Sequence, residues 1–330
     1  MYLFYNSLMN TILLILTGGT IGSEKKKNVV NVSKNNYLIS YLLKKRKKIN
    51  FKIVQPINIL SENATPNNWN KIIKCIEENW NNKFSGIIIT HGTDTLSYTS
   101  SALSQYFYNF YKPVILVSSD KPLKDKNSNG KLNFASAIDF IEKIKLPGTY
   151  VSYKNPKDNF ISFFIGSRIK QINSYYNNLN SGFGDPFCIL KNKKFSFIKK
   201  NNPSILSIKK NGKKNSLNIG FEFSNKILLI HAYPGLNYDS FNLIKIKPKV
   251  ILHTLYHSGT SSLQFTDFIK KNKNKKISFF VAPISNKKKN IYLSLKILMK
   301  LKAKCLKGIT VETAFAKLSL AFQSFKNEKD

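Results

Sequence analysis

Ile12-Leu13-Leu14-Ile15-Leu16-Thr17-Gly18-Gly19-Thr20-Ile21-Gly22 is an apolar run that stops abruptly at two glycines. Five apolar residues in a row lack the alternation of a half-exposed strand. They fit a short strand buried on both faces, as inside a parallel sheet. Glycines directly after it let the backbone turn tightly and come close to a ligand. The threonines then stand at the strand's carboxyl end, where an open α/β sheet presents reacting groups. Gly86-Ile87-Ile88-Ile89-Thr90 followed by His91-Gly92-Thr93-Asp94-Thr95 repeats the arrangement. Thr93 and Asp94 precede a helical pattern, and an anionic group is favoured at a helix N-terminus. Each turn alone also fits simple helix capping. Two hydroxyl-rich turns on strands of one parallel sheet point instead to a shared crevice.

Outward from these turns the chain alternates strand and helix patterns. Phe51–Val54 reads as a strand. Thr65-Pro66 is an N-cap followed by proline at the first helical position, and Trp69, Ile72, Ile73, Ile76 and Trp80 follow at helical spacing. Residues 95–110 read as a helix, Val114–Val117 as a strand and Phe134–Ile144 as a helix. This βαβα rhythm predicts an α/β fold with a doubly wound, mostly parallel sheet in a larger N-terminal domain. That domain is expected over residues 1–195, with a Lys/Asn/Ser-rich linker at 196–216 and a smaller C-terminal α/β domain at 217–330. In the latter, strands are expected at Ile227–Ile230, Val250–His253 and Ile277–Val281. Helices are expected near Tyr238–Ile244, Ser262–Lys270, Ile291–Leu301 and Val311–Phe322.

Composition narrows the function classes. No run approaches the roughly 18 apolar residues of a membrane span, and Met1 to Leu16 lack a cationic start and a small-residue cleavage site, so no signal peptide is read. Met9, just ahead of Asn10-Thr11-Ile12, is an alternative start to Met1. Cys75, Cys188 and Cys305 are far apart and odd in number, which fits reduced thiols in a cytoplasm. No Cys/His spacing resembles a metal site. The net charge of +36 raises nucleic-acid binding. Yet only Arg46 and Arg168 are arginines, and bidentate phosphate and guanine contacts favour Arg. Lysine and asparagine enrichment together reads as a codon bias, and no specific nucleic-acid partner is expected.

Thr17-Gly18-Gly19-Thr20-Ile21 and His91-Gly92-Thr93-Asp94-Thr95 resemble the two signature segments of the L-asparaginase family, and most of all its cytoplasmic (type I) bacterial branch. The resemblance extends through Thr65-Pro66, Tyr98-Thr99, Lys112-Pro113-Val114, Tyr233-Pro234-Gly235 and Thr310-Val311-Glu312, nearly the whole chain in order. It implies hydrolysis of L-asparagine to L-aspartate and ammonia, with Thr20 as nucleophile and an acyl-threonine intermediate. It implies that Thr93, Asp94 and a lysine form a second reactive cluster, that Ser61 holds the substrate's α-carboxylate with Glu62 beside it, and that Asp94 also receives the α-ammonium. Neither a metal nor an organic cofactor is implied. A homodimer or homotetramer is, because family sites are completed across subunits.

The chain also departs from the family pattern. The family lysine lies three residues after an arginine; in Gly166-Ser167-Arg168-Ile169-Lys170-Gln171 that position is Gln171. Lys170 is adjacent, but if the segment is a strand, neighbouring side chains face opposite ways. Lys25-Lys26-Lys27-Asn28-Val29-Val30 replaces a loop that carries a tyrosine in the family; the nearest tyrosine is Tyr37. Val117-Ser118-Ser119-Asp120 and Ser128-Asn129-Gly130 replace a Thr-Gly-Ser/Ala and a Ser-Asp-Gly segment. Two other readings therefore stand beside an active asparaginase. One is a weakly active or inactive homologue. The other is the asparaginase-like subunit of a tRNA-dependent amidotransferase, against which stands the shortness of the 16 residues before Thr17. Of the four histidines, His91 is read as orienting its turn, and His257 as a hydrogen-bonded structural residue, although the resemblance implies that its segment helps to shape a neighbouring subunit's site.

Overall fold

The computed structural model describes residues 11–26, 29–32, 49–212, 220–286 and 290–324. Met1, Met9, Lys27, Asn28, Tyr37 and residues 213–216 lie outside them. The chain divides into two compact units, Met1–Ile219 and Gly220–Asp330.

The first unit starts with β1 (Thr11–Ile15), whose Ile12 to Ile15 have no exposed surface. A 3₁₀ turn at Thr20–Gly22 leads into a two-stranded antiparallel hairpin, β2 (Ser23–Lys26) and β3 (Val29–Val32). Next come β4 (Asn50–Val54), α1 (Pro66–Asn79), β5 (Phe84–Thr90), α2 (Leu96–Tyr106) and β6 (Pro113–Val117). They are followed by α3 (Gly130–Asp139), prolonged by a π-helical turn at Phe140–Ile144, and by β7 (Gly148–Tyr153) and β8 (Ile161–Ile165). The unit's last described elements are β9 (Cys188–Lys191), β10 (Lys194–Phe197) and α4 (Ile205–Asn211).

Eight strands form one sheet in the order β10-β9-β8-β7-β6-β5-β1-β4. β4, β1, β5, β6 and β7 run parallel, so their carboxyl ends share one edge. β8, β9 and β10 extend the sheet antiparallel. The sheet is thus mostly parallel, as expected, with an antiparallel wing. Strand alternation divides the core: Ile12, Leu14, Ile88, Ile115 and Val117 face α3 through Phe134, Ala137 and Ile138. Leu13, Ile15, Ile87 and Ile89 turn the other way, toward the layer of α1 and α2. In α1 the Thr65 amide donates to the Asn68 side chain at 2.8 Å, half of a capping box.

Most of the Lys/Asn/Ser-rich stretch read as a linker is structured. Phe197 ends β10, and α4, N-capped by the Ser204 hydroxyl, presses Ile205 and Ile208 against the first unit's core. Two apolar residues at i and i+3 are enough to seat a short helix, even between lysines.

The second unit holds β11 (Ile227–Ile230), α5 (Leu243–Ile246), β12 (Val250–Thr254), α6 (Leu263–Asn272), β13 (Ser278–Ile284), α7 (Leu293–Lys300), β14 (Lys304–Lys307) and α8 (Val311–Ser324). Its four strands are parallel in chain order. Ile251, Phe279 and Val281 meet α6 and α7 on one face. Val250, Leu252 and Phe280 meet Ala314 and Leu318 of α8 on the other. Both faces are covered, as parallel sheets require.

Candidate active site

Both glycine-bearing turns follow parallel strands that are immediate neighbours, so they leave the sheet at the same edge. Thr17 joins them first. Its amide donates to the Thr90 hydroxyl at 3.2 Å, and its hydroxyl donates to the Thr90 carbonyl. The chain after β4 closes on the other side: the Ile59 amide donates to the Thr17 carbonyl at 3.0 Å and the Gly19 amide to the Ile59 carbonyl at 2.9 Å. That clasp brings Ser61, two residues on, to the same edge.

The glycines then touch. Gly19, at φ 70°, has no room for a side chain: a Cβ there would lie 2.2 Å from the Gly92 nitrogen. A Cβ on Gly92 would lie 2.4 Å from the Ser61 hydroxyl oxygen and 3.3 Å from the Gly19 Cα. Three segments remote in sequence thus meet at one point, Gly19 and Gly92 backbone to backbone and Ser61 through its side chain. Thr20 and Thr93 each follow one of these glycines, and both are half-buried.

Hydrogen bonds fix the rest. The Ser61 hydroxyl donates to Asp94 Oδ2 at 3.2 Å and accepts from the Asp94 amide at 3.2 Å. The Thr95 hydroxyl, at the N-cap of α2, donates to the Ser61 carbonyl at 2.7 Å. Asp94 is exposed, so its carboxylate faces solvent beside the positive end of α2. His91 is buried and its Nδ1 lies 2.8 Å from the Gly92 carbonyl oxygen; burial lowers its pKa and favours the neutral ring. Glu62 is exposed in the 3₁₀ turn Ser61–Asn63.

Lys170 is not tied to this cluster by a hydrogen bond or ion pair among the described residues. Gly166 is wedged against α2, where its carbonyl accepts from Ser100 at 3.0 Å, and a Cβ on it would meet the Ser104 hydroxyl oxygen at 2.7 Å. Arg168 turns outward to the Asn201 carbonyl and lies 4.9 Å from the Phe183 ring. Residues 170 and 171 are then outside any strand, and the Lys170 amide donates to the Asn180 carbonyl at 3.1 Å. Strand alternation therefore does not decide which way Lys170 or Gln171 points. Both side chains are exposed. No hydrogen bond or ion pair among the described residues joins the Lys170 ammonium to Thr20, Thr93 or Asp94.

The roles of Thr17, Thr90 and Thr95 as braces of this cluster were not read from the sequence. The signal was present, in hydroxyls placed at strand ends and helix caps. What the assembled edge offers is a carboxylate, several hydroxyls and turn amides close together.

The family description "Asparaginase, N-terminal" matches residues 11–183, more than half of the chain. The chain belongs to the asparaginase family. It superposes on the thermostable L-asparaginase of Thermococcus kodakarensis with a TM-score of 0.77 at 22% identity, covering 96% of this chain and 94% of that one. It superposes on L-asparaginase I of Vibrio cholerae with a TM-score of 0.76 at 22% identity and the same coverage. At such identity these matches establish the shared fold. Among curated sequences it is similar to a glutamyl-tRNA(Gln) amidotransferase subunit of Saccharolobus solfataricus, at 26% identity over 254 residues, 74% of this chain and 55% of that protein. The corresponding protein of Methanosphaera stadtmanae is 31% identical over 185 residues, 54% of this chain and 40% of that protein. The chain spans about half the length of the curated relatives it matches. Among the described residues, no helix of this asparaginase-family protein is long and apolar enough to cross a membrane.

Proposed function

We propose that this family member hydrolyses L-asparagine to L-aspartate and ammonia, with Thr20 as the nucleophile. The observation that carries the reading is the meeting of Gly19, Gly92 and Ser61, with Ser61 bonded to Asp94. It puts Thr20, Thr93 and Asp94 at one edge of one sheet, which supports the reading of a hydroxyl nucleophile beside a second hydroxyl and a carboxylate. Asp94 takes the substrate's α-ammonium. Ser61 and neighbouring turn amides take the α-carboxylate, and Glu62 lies at the same end of the substrate.

Thr20 Oγ attacks the side-chain amide carbon. The hydroxyl proton passes to the amide nitrogen, the C–N bond breaks, ammonia leaves and a threonine ester remains. Water then attacks the ester, releases aspartate and returns a proton to Thr20. A threonine hydroxyl needs an adjacent base for the first step, and Thr93 with Lys170 is our assignment for it. Neither a metal nor an organic cofactor is part of this scheme. We place the protein in the cytoplasm, in keeping with its three free cysteines, as a homodimer or homotetramer.

The test is ammonia release from L-asparagine by the purified protein and by Thr20→Ala. Loss of at least a hundredfold in the variant supports the mechanism. Equal rates would remove the catalytic claim and leave a non-catalytic homologue, the reading that Gln171 favours. The similarity to amidotransferase subunits supports a second reading, as one subunit of a tRNA-dependent amidotransferase. Copurification of a second subunit, with ammonia release that depends on it and on tRNA, would favour that reading over a stand-alone enzyme.

A further inference from the structure

A pocket of about 260 Å³ opens in the first unit beside Gly148, the first residue of β7. The candidate active site lies past the carboxyl ends of strands parallel to β7, so this pocket is at the opposite edge of the sheet. Its walls are the last turn of α2, the start of β7 and the end of α4, with Ser104, Tyr108, Thr149, Ser167 and Asn211 among the lining residues. None of its fourteen lining residues is charged, in a chain with 53 Lys and Arg and 17 Asp and Glu.

The walls are fixed in place. Gly212, which caps α4, is so close to Pro147 that a Cβ on it would lie 2.3 Å from the Pro147 Cβ. The Tyr150 hydroxyl donates to the Pro147 carbonyl at 2.7 Å and holds the turn into β7. Ile208 of α4 is anchored in the core. Thr149 is 5% exposed, and its hydroxyl oxygen is buried without a hydrogen-bond partner. That oxygen has no accessible surface, so it lies behind the wall and meets no occupant of the pocket.

We infer that this pocket binds a small uncharged molecule consisting of one ring and a hydrogen-bonding substituent. A cavity of ~150 Å³ already accepts a benzene ring, so the volume suits one ring with a short amide or hydroxyl. The faces of Tyr108, Phe107, Pro147 and Pro203 fit an apolar ring. Asn211 and Ser104 fit its polar substituent. A charged ligand finds no counter-ion there and loses its hydration on entry.

The experiment uses the full chain and benzamide as probe, with benzoate and benzylamine as charged analogues of the same shape. Saturation-transfer NMR is read on the wild type, on Asn211→Trp, an exposed position whose new ring fills the mouth, and on Tyr108→Ala, also exposed. The expected result is saturable benzamide binding with Kd of about 1 mM. Both variants should weaken it at least fivefold with unchanged Tm, and Thr20→Ala should bind as the wild type does. Benzoate and benzylamine should bind at least tenfold more weakly than benzamide. Benzamide binding that both variants leave unchanged, benzoate binding as tight as benzamide, or no saturable signal up to about 10 mM would each overturn the assignment.

Discussion

At the scale of single residues, the packing of Gly92 makes the sharpest demand. In Gly92→Ala the new methyl meets both the oxygen and the Cβ of Ser61, at 2.4 and 2.7 Å. Ser61 must move, and with it the bonds to Asp94. Displacement of about 1 Å costs of order 10²-fold in rate, so kcat/KM for L-asparagine should fall by about that factor while far-UV circular dichroism is unchanged. Ser61→Ala tests the binding role alone: KM should rise about tenfold or more with kcat nearly kept, the signature of lost uniform binding. A drop in kcat with constant KM would instead make Ser61 part of the chemistry. Lys170→Ala addresses the base. If Lys170 serves Thr93, kcat falls by about 10²–10⁴; an unchanged kcat returns the problem to Gln171 and the rest of the loop. His253 offers a test in the second unit. It is fully buried, stacked 3.8 Å from Phe265, with Nε2 2.8 Å from the Tyr238 hydroxyl oxygen, and burial pulls its pKa down to about 4. The folded form therefore binds fewer protons than the unfolded chain between about pH 6.5 and about pH 4. Its contribution to stability is complete above the upper value and disappears as pH falls toward the lower one, by about 3 kcal/mol in all. Urea unfolding of the second unit across that window should show the loss, and His253→Gln should flatten it.

At the scale of elements, legibility followed apolar runs in the sequence and not burial alone, since β7 and β8 are buried and were not assigned. β1, β5, β6, β11 and β12 were read to within two residues at either end, because each carries a continuous apolar run with sharp ends. β7, β8, β9, β10 and β14 were not assigned. Gly148–Tyr153 mixes glycine, threonine and serine, and Lys194–Phe197 alternates in a region whose lysines and asparagines mask it. Both signature turns were legible, and so was their meeting, because neighbouring parallel strands deliver their carboxyl ends to one edge. The Ile59 clasp was not, since it joins two loops by backbone groups that every residue carries. The geometry at Lys170 was not legible for a similar reason: Gly166 is held by hydroxyls on α2, and the chain beyond it leaves strand geometry. That contact also makes a prediction at this scale. In Gly166→Ala the Cβ meets the Ser104 hydroxyl oxygen at 2.7 Å and the Ser100 carbonyl oxygen at 2.9 Å. Ser104 has somewhere to rotate, but the carbonyl does not. The variant should lose about 1–3 kcal/mol in urea unfolding and lose activity as well, since the same strap leads to Lys170.

For the whole molecule the governing number is the net charge of +36. Ion pairs do little to offset it. Those formed by described residues include Lys74–Glu78, Lys143–Asp139, Lys270–Asp267 and Lys271–Asp239, at 3.1 to 3.9 Å and mostly well exposed. Exposed pairs of this kind contribute little, while like charges spread over one molecule repel each other and disfavour the compact state. Repulsion of that origin is screened when the Debye length shrinks from about 20–30 Å in ~10–20 mM salt to below about 5 Å in ~0.5 M. Attraction between oppositely charged pairs is screened as well, so the sign of the salt effect reveals which dominates. With 53 basic residues against 17 acidic ones, repulsion should win. Calorimetry should show Tm rising by several degrees, of the order produced by ~1–2 kcal/mol, as NaCl increases over that range. Potassium glutamate should act like NaCl, because ionic strength and not the identity of the anion does the screening. A Tm that falls with salt would mean that the few acidic residues sit where they neutralise far more lysines than their number suggests.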